Sequence, residues 1–441
     1  MNFAKLKKAA KAAGITEIEV YAEQGNGIEI TAFNGEIEKN TAYSTNVLAI
    51  RGVYNNQIVT IYEENDSDDV IPSIIAKIKD NCSIMNKVDP FFIYGGDKNY
   101  PNIAKKVCDF DKYSLEDKAN LCLEVTKKLK AASEYVTKTE VSYEETETTT
   151  TIKNSNGLDV KSHARYGFLV VEAIAEKAGE TKTGFDYVRF NSIKDLDVDS
   201  LVSAAVKDAV GSFGAESIPS GSYPVVLDKK VVSSILGAFS SIFSADGVLK
   251  NMSFLKDKLD QKIFGDNITL VDDPLSLDAP AQHPFDDEGV CCYSKNLVEN
   301  GVLKTYLHNL KTAAMMNTKS TGNGFKAGVQ GSVGVSPSNL YLKPGQVSFD
   351  DMLGQVGNGV YVTSVAGLHA GLNPISGSFN LQSSGYLIEN CKLTKPVTLI
   401  IISGTLQELL NNVSIVGSDF EFKRGVGAPS LAVKSMAVSG K

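Results

Sequence analysis

Val225-Val226-Leu227-Asp228-Lys229-Lys230-Val231-Val232-Ser233-Ser234-Ile235-Leu236-Gly237-Ala238-Phe239 reads as a strand turning into a helix, and the second half of the chain is read outward from it. Just upstream, Ile218-Pro219-Ser220-Gly221-Ser222-Tyr223-Pro224 sets two prolines and a glycine between periodic segments, which marks a connection. Downstream the pattern gives a helix over 229–242, a mobile-looking loop through 250–285, and then mostly strands. Leu297-Val298-Glu299-Asn300-Gly301-Val302-Leu303-Lys304 resembles Leu387-Ile388-Glu389-Asn390-Cys391-Lys392-Leu393-Thr394. Both are apolar strands broken by Glu-Asn and a turn residue, which is hairpin chemistry.

The first half has a different texture. Phe3, Leu6, Ala10 and Ala13 lie at helical spacing, so residues 3–13 are expected to form a short helix. Glu17 to Tyr62 reads as strands, with Asn34-Gly35 and Asn55-Asn56 as hairpin turns, because these residues reach positive φ cheaply. Val70, Ile74, Ile75 and Ile78 stripe a helix over 69–79. Pro90, Gly95-Gly96 and Pro101 make 84–112 a connector. A long helix is expected at about 114–133, capped by Ser114 with Asp117 three residues on. The Thr-rich stretch 137–153 reads as a strand, since Thr is β-branched and suits a half-exposed pleated surface. Asn156-Gly157 turns it into Leu158–Arg165 and Phe168–Glu176, and 198–211 forms another helix. The fold class is α+β, a helix-and-hairpin N-terminal region followed by a sheet-rich C-terminal domain. The expected divisions are 1–105, 106–217 and 218–441.

Composition narrows the function. The 441 residues carry 44 Lys and Arg against 52 Asp and Glu, a net charge of −8, and arginine occurs only at Arg51, Arg165, Arg189 and Arg424. Nucleic-acid binders present a basic, Arg-rich face, so nucleic acid is not expected as a partner. The N-terminus has no apolar signal core, and the most apolar run, Val397 to Ile402, is too short to span a bilayer. The six cysteines (82, 108, 122, 291, 292, 391) show no zinc-ribbon spacing. Cys291 and Cys292 are expected on a strand, Val290–Val298, with their side chains on opposite faces. Reduced thiols and a cytoplasmic location fit best.

Catalytic zinc needs three protein ligands and an open position. The chain has only His163, His283, His308 and His369, and no two lie at i, i+3 or i+4. His283, beside Asp286, Asp287 and Glu288, is the best rebuilt candidate. A turn whose carboxylates satisfy backbone N–H groups explains the same run. There is no Gly-x-Ser-x-Gly elbow and no phosphate-binding loop. Ser320-Thr321-Gly322-Asn323-Gly324 is either a tight bend or a row of backbone N–H groups lining a groove for an extended peptide.

In order, the Val225–Phe239 stretch, Pro284-Phe285-Asp286-Asp287-Glu288-Gly289, Leu297–Leu303 and Ser320–Gly324 resemble the TldD/PmbA family. In the TldD metalloprotease the helix after the strand carries His-Glu-x-x-x-His; the matching positions here are Gly237, Ala238 and Ile242. TldD also uses a cysteine between two segments resembling Val413–Asp419 and Gly425–Leu431, where this chain has only Phe420 to Arg424. The resemblance therefore implies a TldE (PmbA)-like subunit with no catalytic residue, metal or cofactor of its own. It implies a TldD-like partner that supplies zinc and cleaves unstructured peptides, with a homodimer as the isolated form. Asp286, Asp287, Glu288, Gly289, Ser320, Thr321, Gly322 and Asn323 are the expected peptide-groove or interface residues. The alternative is a stand-alone peptide-binding homo-oligomer. A gyrase-modulator role, a label the family has carried, finds no support in the acidic composition.

Overall fold

The computed structural model describes residues 1–84, 93–103, 107–423 and 425–441. The expected connector over 84–112 lies partly outside them, Pro90 included, and so does Arg424. The chain forms two compact units.

The first unit holds residues 1–96, 104–213 and 327–331. Helix α1 (Phe3–Ala12) is followed by strands β1 (Glu17–Phe33), β2 (Glu36–Tyr54) and β3 (Gln57–Glu63), then α2 (Ile71–Ile84). After α3 (Leu115–Ala131) come β4 (Val136–Asn154), β5 (Asp159–Lys177), β6 (Glu180–Phe190) and α4 (Val198–Gly211). The strands form one antiparallel sheet, ordered β3-β2-β1-β4-β5-β6. Its hairpin turns sit where expected, with Asn34 at φ 49°, Asn55 at 51° and Asn56 at 59°. The two strand segments expected after Asn156-Gly157 merge into β5. Helix α2 runs past 79 because Cys82 continues its buried stripe of Ile71, Ile74 and Ile78.

Among the described residues two apolar clusters hold this unit. Leu6, Ala10, Ile18, Ile50, Ile74 and Ile78 join α1 and α2 to the sheet. Val125, Leu129, Tyr143, Leu169, Val171 and Ala205 join α3 and α4 to it. The Ser114–Asp117 capping box starts α3. Within the second core Glu145 takes Lys118 Nζ at 2.6 Å and Arg165 at 2.8 Å, so these buried charges are paired.

The second unit holds residues 97–103, 214–326 and 332–441. Its elements begin with β7 (Gly221–Leu227), α5 (Lys229–Phe239), α6 (Ala245–Leu249), β8 (Leu270–Asp272), β9 (Lys295–Glu299), β10 (Val302–Leu303) and α7 (Leu310–Met315). They continue with β11 (Leu340–Leu342), α8 (Phe349–Val356), β12 (Gly359–Ala366), β13 (Leu372–Asn373), β14 (Ser378–Glu389), β15 (Lys392–Thr405) and α9 (Leu406–Asn411). The last are β16 (Val413–Val416), β17 (Glu421–Lys423), β18 (Val426–Ala428) and β19 (Leu431–Ser439). One sheet runs β12-β7-β19-β15-β14-β13 and closes into a ring, because β12 pairs parallel with β7 and antiparallel with β14. The other runs β10-β9-β8-β11-β18-β17.

Val225, Val226 and Leu227 are all fully buried, since β7 is covered on both faces. Val225 and Leu227 join the core of α5, and Val226 packs with Met352 and Leu353 of α8. Three expectations change here. The helix expected over 229–242 stops at Phe239 and tightens into a 3-10 turn over Ser240–Phe243. The segment 250–285 is fastened to the core by Leu255, Ile263, Phe264 and Ile268, each at most 2% exposed. The strand expected at Val290–Val298 starts only at Lys295. Upstream of it the acidic turn folds the chain back, so Cys291 bridges Phe285 and Cys292 N–H bonds to Pro284 O at 3.0 Å.

Candidate functional site

Asp228 caps α5: its Oδ1 accepts the Lys230 N–H at 2.8 Å, and its Oδ2 takes the Tyr361 hydroxyl. Tyr361 is held protonated by burial and by that carboxylate. The Lys229 N–H reaches Ser430 Oγ at 3.2 Å, and Ser430 in turn donates to Asp419 at 2.7 Å. Lys229 and Lys423 both pair with Glu421 at 2.8 Å. These bonds tie the segment 419–430 to the start of α5.

The same packing brings the Gly-x-Gly strand against the helix position of interest. A Cβ built on Gly237 would lie 3.4 Å from Val426 Cγ2. So Gly237, from the helix motif, and Val426, from the C-terminal motif, do meet. Positions 237 and 242 would point about 140° apart on a regular helix, and the 3-10 turn alters that relation. Ile242 is fully buried among apolar side chains.

The zinc implied by the resemblance can be tested on these residues. Gly237, Ala238 and Ile242 offer no side-chain donor, and neither do Phe420 and Phe422, which stack on each other and on Tyr341; the carboxylate between them, Glu421, is taken by Lys229 and Lys423. Ser233 Oγ, one helical turn before Gly237, is buried without a partner, as is His308 Nδ1. Among the described residues no three His, Cys, Asp or Glu side chains converge. The residues at the motif positions do not fit the metal.

The Asp-Asp-Glu-Gly and Ser-Thr-Gly-Asn runs are brought together. Asp287 N donates to Gly324 O at 2.9 Å, and Gly324 N donates to Asp286 Oδ2 at 2.8 Å. Asp286 Oδ1 also accepts the N–H groups of Glu288 and Val290, each at 3.0 Å. Glu288 accepts the Leu310 N–H at 2.8 Å, at the start of α7, and Asp287 accepts that of Lys326 at 2.7 Å. Burial, and next the Glu288 carboxylate, push Asp286 up to about 8 against its three N–H bonds. Gly289 N closes the turn on Asp286 O at 2.9 Å, and Gly289 O accepts the Tyr100 hydroxyl at 2.7 Å.

Thr321 Oγ1 accepts the His308 N–H at 2.7 Å and donates to Asn323 Oδ1 at 2.8 Å. Ser320 Oγ donates to His308 O at 3.1 Å. Gly322 sits at φ +68°, and a Cβ there would come within 2.6 Å of Cys291 O. Asn323 Nδ2 donates to Asp272 at 2.8 Å, and Lys295 Nζ bridges Asp272 (3.1 Å) and Asn323 (3.0 Å). Asp286, Glu288, Thr321 and Asn323 are all at most 6% exposed. His283 stacks edge-on against Phe325, and burial lowers its pKa against the pull of Asp287 and Asp272.

Sequence reading missed Asp272 and Lys295, which centre this network. The available signal was an Asp ending the Ile268–Val271 apolar run and a Lys at the start of another, and neither pattern names a partner.

Comparison with known proteins gives this arrangement a lineage. Residues 220–440 match the PmbA/TldA metallopeptidase C-terminal domain, and residues 108–213 match the central domain of the same family. A metalloprotease of Methanocaldococcus jannaschii is 28% identical over 436 residues, covering 96% of this chain and 94% of its own. A Thermotoga maritima protein designated a modulator of a DNA gyrase has a similar structure, with TM-score 0.91 and 31% identity over 99% of this chain and 100% of its own. TldE from Thermococcus kodakarensis shares the fold, with TM-score 0.87 at 20% identity over 99% of this chain and 100% of its own. With half of its residues matched by the C-terminal domain alone, the chain belongs to the PmbA/TldD metallopeptidase family.

Proposed function

We propose that the chain is a non-catalytic, TldE-like subunit of a zinc metalloprotease complex, in which a TldD-like partner holds the metal and cleaves unstructured peptides. One observation carries this reading. The two family segments still pack together at Gly237 and Val426, yet the facing side chains are a hydrogen and a valine methyl group. Zinc ligation needs N, S or O donors, and a buried Ile242 cannot supply one. In this reading the buried polar network around Asp286, Thr321 and Asn323 shapes the loops that face peptide or partner. The location is cytoplasmic, where the six free thiols stay reduced.

The test uses the chain by itself and in its own lysate. Purified alone with added zinc, it is expected to leave unstructured peptides intact; robust chelator-sensitive hydrolysis would overturn the reading. Tagged and recovered from lysate, it is expected to bring down a His-Glu-x-x-x-His relative and stoichiometric zinc. A stand-alone peptide-binding homo-oligomer predicts recovery of this chain only.

A further inference from the structure

We propose that the open edge of β2 is a docking lane for an extended, cationic polypeptide segment. β1 pairs with β2 from Glu36 to Val53, with one bulge at Glu38, but β3 covers the other edge only from Leu48 to Tyr54. From Glu36 to Val47 that edge has no backbone partner among the described residues. Every residue from Asn34 to Thr45 is exposed in the full chain. At about 3.4 Å per residue the lane is roughly 40 Å long. It lies in line with β3: Asn46 Nδ2 holds Glu64 O at 2.9 Å where the chain departs, and the vacancy begins there.

Proteins usually blunt such edges with lysine, proline or a bulge. The bulge at Glu38 and the side chain of Lys39 lie at one end of the lane; the rest, Asn40-Thr41-Ala42-Tyr43-Ser44-Thr45-Asn46, holds no lysine or proline, and its pairing with β1 is unbroken. Lys39 is turned to Glu29 on β1. The Tyr43 ring lies over Gly27, where a Cβ would collide with it, so the tyrosine leans away from the lane. The outward N–H and C=O groups are free to take an added strand.

Charge selects the occupant. Glu36 and Glu38 stand at one end of the lane, Glu64 and Asp66 at the other, and among the described residues none of the four meets a cation. A strand of about ten residues with Lys or Arg near both ends would answer both clusters. A second copy fits poorly: two-fold pairing of β2 on β2 about Thr41 and Ala42 would carry Glu38 of one copy toward Glu64 and Asp66 of the other.

The lane is independent of where the zinc sits, so its test omits both metal and protease partner. The probe is a fluorescent ten-residue peptide of alternating Thr and Val with two lysines at each end, titrated into the full chain by anisotropy. Saturable, salt-sensitive binding is expected. It should weaken at least tenfold when glutamates replace the lysines, when alternate peptide amides are N-methylated, or in an E36Q/E38Q/E64Q/D66N variant with an unchanged circular dichroism spectrum. Absence of binding, equal binding of the N-methylated peptide, or an unaffected variant would each overturn the proposal. A concentration-dependent dimer in sedimentation that Thr41→Pro abolishes would also overturn it, by giving the edge to a second copy.

Discussion

Gly237 has room for a methyl group, since its Cβ would meet Val426 only at 3.4 Å, an ordinary contact. Glycine inside a helix costs about 0.5–1 kcal/mol relative to alanine, so Gly237→Ala should raise stability by that amount in urea unfolding. Ile242 is the contrast. Ile242→His would remove a fully buried apolar side chain and put a polar ring in its place, and should cost about 3 kcal/mol in the same measurement. A histidine at position 242 therefore opposes the apolar core around it. Asp286 makes a pH-dependent contribution. Its carboxyl is raised from 3.8 to about 8 on folding, so the folded chain keeps a proton that the unfolded chain releases. That stability is complete below about pH 4 and is lost as pH climbs toward 8. Asp286→Asn should flatten the fall of Tm between pH 5 and 8. It should also lower Tm at acid pH, because an amide cannot accept all three N–H bonds.

At the scale of elements, Gly184 of β6 is where the sheet meets α4. A Cβ there would strike the backbone of Ala205 and Ala209. Gly184→Val should push α4 off the sheet and cost about 3 kcal/mol or more, measured by chemical denaturation. Elements whose signals are local were legible in the sequence: the Asn-Gly and Asn-Asn turns, the Ser114 capping box, and the two Glu-Asn hairpins, whose tips carry Asn300 at φ 49° and Asn390 at φ 51°. Elements decided by distant partners were not. Cys291 and Cys292 look like strand residues by composition, but the acidic turn before them sets their pairing. The end of α5 at Phe239 is also hidden, because Ile242 and Phe243, three and four residues past Phe239, keep a helical rhythm across the intervening Ser240 and Ser241. In the site, the proximity of Asp286 to Gly324 spans 38 residues and rests on a backbone N–H, which no side-chain pattern records.

For the whole molecule, the α+β class and the sheet-rich second half were legible because the strand and helix periods are distinct. The closure of the ring was not, since it depends on β12 reaching both β7 and β14. The two units have separate cores. Calorimetry should accordingly resolve two unfolding transitions, and Gly184→Val should lower only one of them; a single shared shift would count against separate cores.

The place of β19 in the ring has a consequence for the order of events at the ribosome. This strand, residues 431–439, sits between β7 and β15, so the earliest and latest strands of the unit are neighbours. β7 has its antiparallel neighbour only once those last residues emerge. The first unit's sheet is complete at residue 190. Synthesis should therefore yield an early-folding N-terminal unit and a second unit that waits, partly collapsed and chaperone-accessible, for its final strand.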